Sequence, residues 1–542
     1  MTGLLVGLAI AVCAAVPVTA QPQAGASAEV PALRLGILSD THVTGPESSA
    51  ELAKAFQFLR KRDVSAVLHC GDVTDRGSLA QLDAFAATWK AVFDAKTELI
   101  VALGNRDLMD SGRIPAAERE RMRDHAIYPD PAKSFRERLG VEAVNGIAAR
   151  RLNGAWVVSA AWKTEGGLED FFLSHPEIAA SGLPVVTLQH QHHQGTVFGG
   201  KLADWATGDP RATCWLRMFP EAISFSGHSH RSNQPADAVW QGDFVAVAAG
   251  SYCLEKGPDK GGREVSVLTV EGNVVTLERC DLRTGAVQRN AWTLRVPTQG
   301  FAKRDGDLVF LQYNLGHFAF GQASETAVAA EDSAARAAEF KRLFGAWSPD
   351  IACFCEYSTQ FDRSGARTRE RLLGDFANVD EGPQDGFQCN AVAVRRGGLK
   401  RLARHDYAEH RQGTYYMSEE IELDGKKVVV VVTHLDLTEP QRKAQIADLV
   451  RAFADEPRLV ISGDFNVADP SEYAPFVAAG LTAANCGAFG SWPTHRRRQI
   501  GFTPAIDNVF VRGLRIEEVC LGDFALTLSD HRPLLCRLRL EP

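Results

Sequence analysis

The sequence predicts two successive α/β domains, each built of layered strands and helices, and three observations carry that expectation. The chain has 542 residues, well above the roughly 100–200 typical of one domain. Apolar strand-like runs alternate with amphipathic helical segments through both halves. A polar stretch containing Gly and Pro, PTQGFAKRDGD (297–307), separates the halves, and no repeat relates them.

In the first half, LRLGILS, SAVLHC and ELIVALG read as strands alternating with helices around 49–61 and 79–93. Further strands are expected at AWVVSAAW (155–162), PVVTLQ (184–189) and AISFSG (222–227), and residues 243–297 change to short β-type runs that close the domain. The second half opens with DLVFLQYNL (307–315). It continues with a helix near 330–345, strands at DIACFC and KKVVVVVTHL, a helix near 439–453, a strand at RLVISGDF, and the closing runs AIDNVFV and LLCRLRL. The boundaries expected are a signal peptide over 1–20, a first domain over 31–297, a linker over 298–306 and a second domain over 307–542.

Composition narrows the class. Apolar residues make up 45% and charged residues 23%, enough for sizeable cores. A net charge of -8 gives no general attraction to nucleic acid or to an anionic membrane surface. Residues 3–20, GLLVGLAIAVCAAVPVTA, form an apolar run ending in small residues, with Val18-Thr19-Ala20 in the pattern of a secretory cleavage site. Cleavage near Ala20 and a periplasmic or secreted location are expected. The alternative is a single N-terminal membrane anchor, because Lys and Arg are missing from the first residues and the run is nearly long enough to span. No other stretch is apolar enough, so no stable span is expected after cleavage. The eleven cysteines include no CxxC pair, which removes zinc-ribbon and redox readings; most are expected as buried thiols.

Polar residues gather after the strands of the first half. Asp40 and His42 follow LGILS as D-T-H, Asp72 follows VLHC in GDVTDRG, and Asn105 follows LIVAL in GNRD. His190 follows VVTLQ in HQHH, and His228 and His230 follow ISFS in GHSH. The carboxyl ends of strands are where open α/β sheets place their sites. Carboxylate, imidazole and carboxamide together suit a pair of borderline divalent ions (Fe, Mn or Zn type), with Asp72 able to bridge them. Two such ions would clamp a phosphate.

These residues resemble the calcineurin-like metallophosphoesterase family, with its pattern D-x-H, GD, GN-H, H and G-H-x-H, over roughly 33–295. The resemblance implies an αββα sandwich. It also implies one metal held by Asp40, His42, Asp72 and His230, and a second held by Asp72, Asn105, His190 and His228. His192 is the rival to His190 within the same segment. One position departs from the pattern: Arg106 stands where the family has the His that binds phosphate and protonates the leaving group. Arginine can hold a phosphate oxygen but, with a pKa above about 12, is a poor proton donor. The domain is therefore expected to keep its metals and to favour good leaving groups over alkoxides, with His192 and His193 as alternative acids.

The second half repeats the logic with other residues. Asn314 ends FLQYN, Glu356 ends IACFCE, His434 ends VVVVTH, and Asp464 and Asn466 end VISGDFN. Asp507 begins IDNVFV, and Asp530 with His531 stand in LSDHRP. Glu356 suits a hard ion such as Mg²⁺, an Asp–His pair suits a charged, oriented base, and an Asn can donate to a phosphate oxygen. QYNL, CEYS, THLD, GDFN, IDNVF and SDHRP together resemble the endonuclease/exonuclease/phosphatase superfamily over about 306–540, again an αββα sandwich. Asn390, Arg442, Gln445 and SWPT (491–494) agree with it. The resemblance implies Asn314 and Glu356 near a Mg (or Mn) ion and Asp464 positioning or deprotonating water. It places Asn466 and His434 on the phosphate, Asp507 assisting the metal or leaving group, and His531 oriented by Asp530. The run Arg496, Arg497, Arg498 reads either as a solvated loop or as a grip on phosphate or a polyanion.

The expected function is thus an exported, metal-dependent hydrolase of phosphodiester or phosphomonoester bonds, acting on a small molecule or a polyanion. Nucleic acid is not indicated by charge. The alternative is an extracellular nuclease or phospholipid head-group diesterase in which the first domain is a metal-binding scaffold only.

Overall fold

The structure is a computed structural model. It describes residues 32–541 except 111, 113, 142, 201–203, 253–261, 298–303, 317–329, 362–365, 383–388, 396–397, 408–414, 424, 497–500 and 523–528. The apolar segment expected as a signal (1–20) lies outside these residues, as do Arg497, Arg498 and most of the expected linker.

Among the described residues, the first half has twelve strands. They are β1 (Leu33–Leu38), β2 (Ala66–His69), β3 (Glu98–Val101), β4 (Ile147–Leu152), β5 (Ala155–Ala160), β6 (Val185–Gln189), β7 (Ala222–Ser226), β8 (Val239–Gln241), β9 (Val245–Ala248), β10 (Glu264–Glu271), β11 (Val274–Asp281) and β12 (Val287–Thr293). They form two six-stranded sheets, ordered β12-β11-β10-β1-β2-β3 and β4-β5-β6-β7-β9-β8. Both sheets contain parallel strands: β1, β2 and β3 run together to one edge of the first, and β5, β6, β7 and β9 form the middle of the second. Strands buried on both faces need continuous apolar runs, and β6 and β7 are buried along their whole length.

Leu35, Ile37 and Leu68 of one sheet pack with Val157, Leu188 and Phe225 of the other as one core between the sheets. Helices Pro46–Lys61 and Leu79–Val92 cover the first sheet through Phe56, Phe85 and Trp89. Helices Leu168–Ser174 and Pro210–Leu216 cover the second through Phe172 and Trp215. The layers therefore run helix, sheet, sheet, helix.

The second half repeats the architecture with different connections. Its strands are β13 (Asp307–Asn314), β14 (Ile351–Cys355), β15 (Asn378–Glu381), β16 (Ala391–Val394), β17 (Leu399–Asp406), β18 (Tyr415–Leu423), β19 (Lys426–His434), β20 (Leu459–Asp464), β21 (Thr482–Ala483), β22 (Asp507–Arg512), β23 (Leu514–Leu521) and β24 (Leu534–Leu540). The sheets are ordered β15-β16-β14-β13-β24-β23 and β17-β18-β19-β20-β22-β21. Helix Ala330–Trp347 packs on the first of them through Phe340 and Phe344. Helix Glu439–Ala452 packs on the second through Ile446 and Leu449. The chain is thus two successive α/β sandwiches. Among the described residues no helix is long and apolar enough to cross a membrane. The nine described cysteines are free thiols, eight of them buried.

The two sandwiches touch through charged side chains. Arg532, fully buried, reaches from the second to the carbonyl oxygen of Met218, the ring of Phe219 and the carboxylate of Glu221. Arg295 donates to the carbonyl of Ser491 and lies over the Trp492 ring, and Arg496 pairs with Glu169. Arg496 is thus engaged in a contact between the sandwiches, which the expectation of a solvated loop did not foresee.

Candidate active sites

In the first sandwich every expected residue lies just beyond the carboxyl end of a parallel strand. β1 delivers Asp40 and His42, β2 Asp72, β3 Asn105, β6 His190, and β7 His228 and His230. The motif glycines let these loops approach one another. A Cβ built on Gly104 would lie 2.2 Å from Asp72 Oδ1, and one on Gly227 would lie 2.4 Å from Asp40 Oδ2. Asp107 ties the loops together by accepting from the backbone N–H groups of Val73, Thr74 and Gly104. Burial, the largest influence, and the nearby Asp72 charge push its carboxyl up to about 6.

The structure brings the residues into two overlapping groups, Asp40–His42–Asp72–His230 and Asp72–His190–His228. His230 Nε2 lies 3.1 Å from Asp40 Oδ1, and His42 Nε2 lies 3.6 Å from both Asp40 Oδ1 and Asp72 Oδ2. His190 Nε2 lies 3.4 Å from Asp72 Oδ2, 3.1 Å from Asn105 Oδ1 and 3.0 Å from His228 Nδ1. Backbone carbonyls fix which ring nitrogens face inward: His190 Nδ1 donates to Cys70 O at 2.8 Å, and His228 Nε2 donates to Trp205 O at 2.9 Å.

These contacts test whether metals fit. Asp40 and Asp72 are buried, and among the described residues neither carboxylate is ion-paired with a Lys or Arg side chain. Asp40 Oδ1, 3.1 Å from His230 Nε2, makes no well-directed hydrogen bond. Buried charge of this kind requires compensation. Without metal it comes from protons. Burial, the largest influence, opposes the charged rings of His42 and His190. The carboxylates outweigh it and hold both near 9: Asp40, Asp75 and Asp72 for His42, Asp72 and Asp40 for His190. Burial, followed by the His190 charge, instead depresses His228 to about 4, which leaves its Nδ1 a lone pair aimed at His190. The donor set fits two divalent ions in the places those protons occupy.

His190, and not His192, joins the group. His192 is held between Ser226 Oγ and Ser229 Oγ at 2.7 Å each, and His193 hydrogen-bonds Ser224 Oγ at 2.8 Å. Both are buried, and burial lowers both to about 3. Both rings are turned into the core and neither lines the cleft, so the structure speaks against either serving as the acid. Arg106 donates its backbone N–H to Asp72 Oδ1 at 2.8 Å, and its side chain lines an open cleft of about 480 Å³ together with Trp162, Lys163 and Trp205. Those three were not anticipated, since isolated tryptophans and a lysine outside any motif give no sequence signal.

The second centre forms in the same way. β13 and β14 are parallel, β13 ending at Asn314 and β14 leading directly into Glu356, and β19 and β20 are parallel and end at His434 and Asp464. Asp507 begins β22, directly across from Asp464 in the antiparallel register. Asn314 Nδ2 donates to Glu356 Oε1 at 3.2 Å and to Asp464 Oδ2 at 3.0 Å, while its Oδ1 accepts from Gly316 N. Asn314 therefore sits beside both carboxylates of the expected ion site, with its amide nitrogen turned toward them. Glu356, His434 and Asp464 converge as a possible ligand group; the carboxylate oxygens suit a hard ion such as Mg²⁺. Asn466 Nδ2 lies 3.1 Å from His434 Nε2, and its backbone N–H donates to Asp464 Oδ1 at 2.9 Å.

The partner of His531 is a correction. His531 Nδ1 lies 2.7 Å from Asp507 Oδ2, whereas Asp530 turns toward His495, 3.5 Å away, with its side chain 39% exposed. Neighbouring residues on an extended segment point to opposite sides, so adjacency in D-H does not make a pair. Burial disfavours charge on His531, but Asp507 first, then Asp464, outweigh it and raise the ring to about 10. Two supports were missed. Thr494 Oγ1 accepts from the Asp507 backbone N–H at 2.9 Å, and Gln312 Nε2 donates to Asp507 Oδ1 at 3.3 Å. Gln312 belongs to the QYNL motif and was legible there.

Backbone strain marks both centres. Of fourteen described non-glycine residues with positive φ, seven are Asp40, His42, Asp72, His228, His230, Glu356 and Asn466. Such conformations cost about 1–3 kcal/mol each and persist where surrounding structure imposes them, commonly at functional sites.

Residues 33–232 match the calcineurin-like phosphoesterase family, and residues 311–531 match the endonuclease/exonuclease/phosphatase family. No curated protein matches the chain. Among solved structures, a humanized D. rerio TDP2 carrying 14 mutations is 15% identical, with a TM-score of 0.34 over 43% of this chain and 100% of its own. An endonuclease/exonuclease/phosphatase from Bacteroides vulgatus is 19% identical, with a TM-score of 0.36 over 43% and 99%. The human Nocturnin catalytic domain with bound sulfate is 19% identical, with a TM-score of 0.34 over 44% and 94%. The chain joins a calcineurin-like phosphoesterase domain to an endonuclease/exonuclease/phosphatase-family domain, in that order.

Proposed function

We propose that this chain is an exported, metal-dependent phosphoester hydrolase with two working centres. The observation that carries the reading is the pair of buried carboxylates, Asp40 and Asp72, ringed by imidazoles whose inward nitrogens converge on each other and on the carboxylate oxygens. Asp40, His42, Asp72 and His230 would hold one ion; Asp72, Asn105, His190 and His228 would hold the other. Bound there, divalent ions would supply positive charge to offset the negative charge building on the phosphoryl oxygens.

The chain's own groups do the rest. Arg106 at the cleft wall binds a phosphate oxygen and gives no proton, so esters of good leaving groups react best. In the second centre Glu356 and Asp464 would hold Mg²⁺. Burial pushes the Asp464 carboxyl up, but His434 and then His531 hold it below its usual range. There Asp464 orients the attacking water, while Asn466, His434 and cationic His531 face the phosphate. Export rests on the apolar N-terminal sequence.

A second reading treats the first domain as support for the second alone. It draws on the burial of Arg532, next to His531, within the first domain. Chelation decides the main point. The proposal expects the purified chain to lose phosphoesterase activity after dialysis against a chelator and to regain it with Mn²⁺ or Mg²⁺. Full activity in metal-free protein would sink it.

A further inference from the structure

The cleft above the first centre is larger than a phosphoryl group requires. At about 480 Å³ it falls within the range of sites for whole small molecules. Beyond the ligand residues, its wall carries two indoles. Trp162 and Trp205 lie 5.2 Å and 5.4 Å from the His228 ring, centroid to centroid.

Neither tryptophan is loosely placed. Trp162 Nε1 donates to Asp110 Oδ2 at 2.9 Å, and its backbone N–H donates to Leu103 O at 2.8 Å. The carbonyl of Trp205 accepts from His228 Nε2 and from Gln191 Nε2, each at 2.9 Å. One of those donors is a residue of the centre itself, so the position of Trp205 is tied to that of His228. Its side chain is nevertheless 57% exposed, the one tryptophan among the exposed large apolar side chains of the described residues. A fixed backbone with an uncovered indole beside the reacting position is a surface prepared for a flat partner. Stacking on such a face tolerates any ring with a π-system.

The charge and the missing acid agree with this. Arg106 and Lys163 line the same cleft, and Lys163 Nζ is paired with Asp110 at 2.8 Å. Arg106, held among the described residues by a single hydrogen bond from Nη1 to Asp75 O at 3.4 Å, is the cation placed to meet the phosphate, and it cannot protonate a departing oxygen. A leaving group that departs without a proton is stabilised by delocalisation, as an aryl oxide is.

We infer that the first centre takes phosphoesters bearing a planar aromatic group, which stacks on Trp205 and Trp162 while Arg106 and the ligand residues hold the phosphate. The aromatic group is either an aryl ring, which departs as its oxide, or the base of a nucleotide whose departing group is itself a phosphate and needs no proton. The inference rests on the phosphoester-hydrolase reading above.

Binding of unreactive ligands tests it without turnover. The Mn²⁺-loaded full chain is titrated with phenylphosphonate, a nucleoside 5′-phosphonate and methylphosphonate, none of which has a cleavable ester bond, by calorimetry and by indole fluorescence. Wild type, Trp205→Ala and Trp205→Phe are compared. At least one aromatic ligand should bind roughly tenfold more tightly than methylphosphonate and quench indole emission. Trp205→Ala should shrink that gap, and Trp205→Phe should retain most of it. Preference for phenylphosphonate identifies an aryl ester, and preference for the nucleoside phosphonate identifies a base. Equal affinity for aromatic and methyl ligands, or an unchanged gap in Trp205→Ala, overturns the inference. If none of the three binds metal-loaded wild type, the phosphoester reading fails and takes the inference with it.

Discussion

Asp507 Oδ2 sits 2.7 Å from His531 Nδ1, and the adjacent Asp530 faces away toward His495. The carboxylate that charges and orients His531 therefore comes from the start of β22, across the sheet from Asp464. Asp507→Asn should lower second-centre turnover by about 10²–10⁴-fold, while Asp530→Asn should change it no more than a few-fold. Steady-state kinetics on the two variants distinguishes them, and equal losses would contradict the assignment.

Arg532 Nη1 and Glu221 Oε2 lie 3.7 Å apart, and both side chains are buried. Removing one member of a buried pair costs about 3–5 kcal/mol because the other charge is left behind. Glu221→Ala should lower unfolding stability by that order in urea titration. It should also reduce second-centre turnover, because Arg532 follows His531 directly. Glu221→Gln should be milder. Wild-type stability in Glu221→Ala would show that this contact bears little.

Gly104 leaves the space that Asp72 fills: an added Cβ would meet Asp72 Oδ1 at 2.2 Å and Asp72 N at 2.3 Å. Gly104→Ala should displace the shared carboxylate at a cost of about 1–3 kcal/mol. The first centre should then lose metal while the second keeps its own. Metal content per chain, measured by mass spectrometry after gel filtration, reads this directly.

His42 and His190 are each raised to about 9, so in metal-free protein at pH 7 both carry a proton. Metal must displace those protons. Uptake at pH 7 should release about two protons per first centre; affinity should rise with pH and level off above about 9. The same raised values stabilise the metal-free fold fully below pH 6.5, and that contribution fades as pH climbs through 9. Calorimetry in buffers of different ionisation enthalpy measures the release. No buffer dependence at pH 7 would contradict the placement of the ions.

How far the sequence revealed this arrangement follows from what each element buries. β13, β19 and β20 are long apolar runs because both faces are covered, and their ends locate Asn314, His434 and Asp464. β12 is largely exposed along VQRNAWT, and β17 is the polar LKRLARHD at a sheet edge. Neither strand carries an apolar signature, because an edge strand covers less core. β18, YYMSEEIEL, was missed although mostly buried, since its glutamates interrupt the run.

The centres show the same division. His190 was separable from His192 because it directly follows the apolar run of β6. The Asp507–His531 pair was not legible, since it joins residues 24 apart through the folding of two strands. Trp205 and Lys163 reach the first cleft from loops, where neither periodicity nor motif marks them.

The most direct test of two working centres is metal-dependent hydrolysis of a nitrophenyl phosphodiester and a nitrophenyl phosphomonoester by wild type, Asp72→Asn and Asp464→Asn. The account predicts that each variant loses a different part of the activity and that each retained part still requires metal. If Asp464→Asn abolished all hydrolysis while Asp72→Asn left it whole, the first centre would not be catalytic and the account would be contradicted.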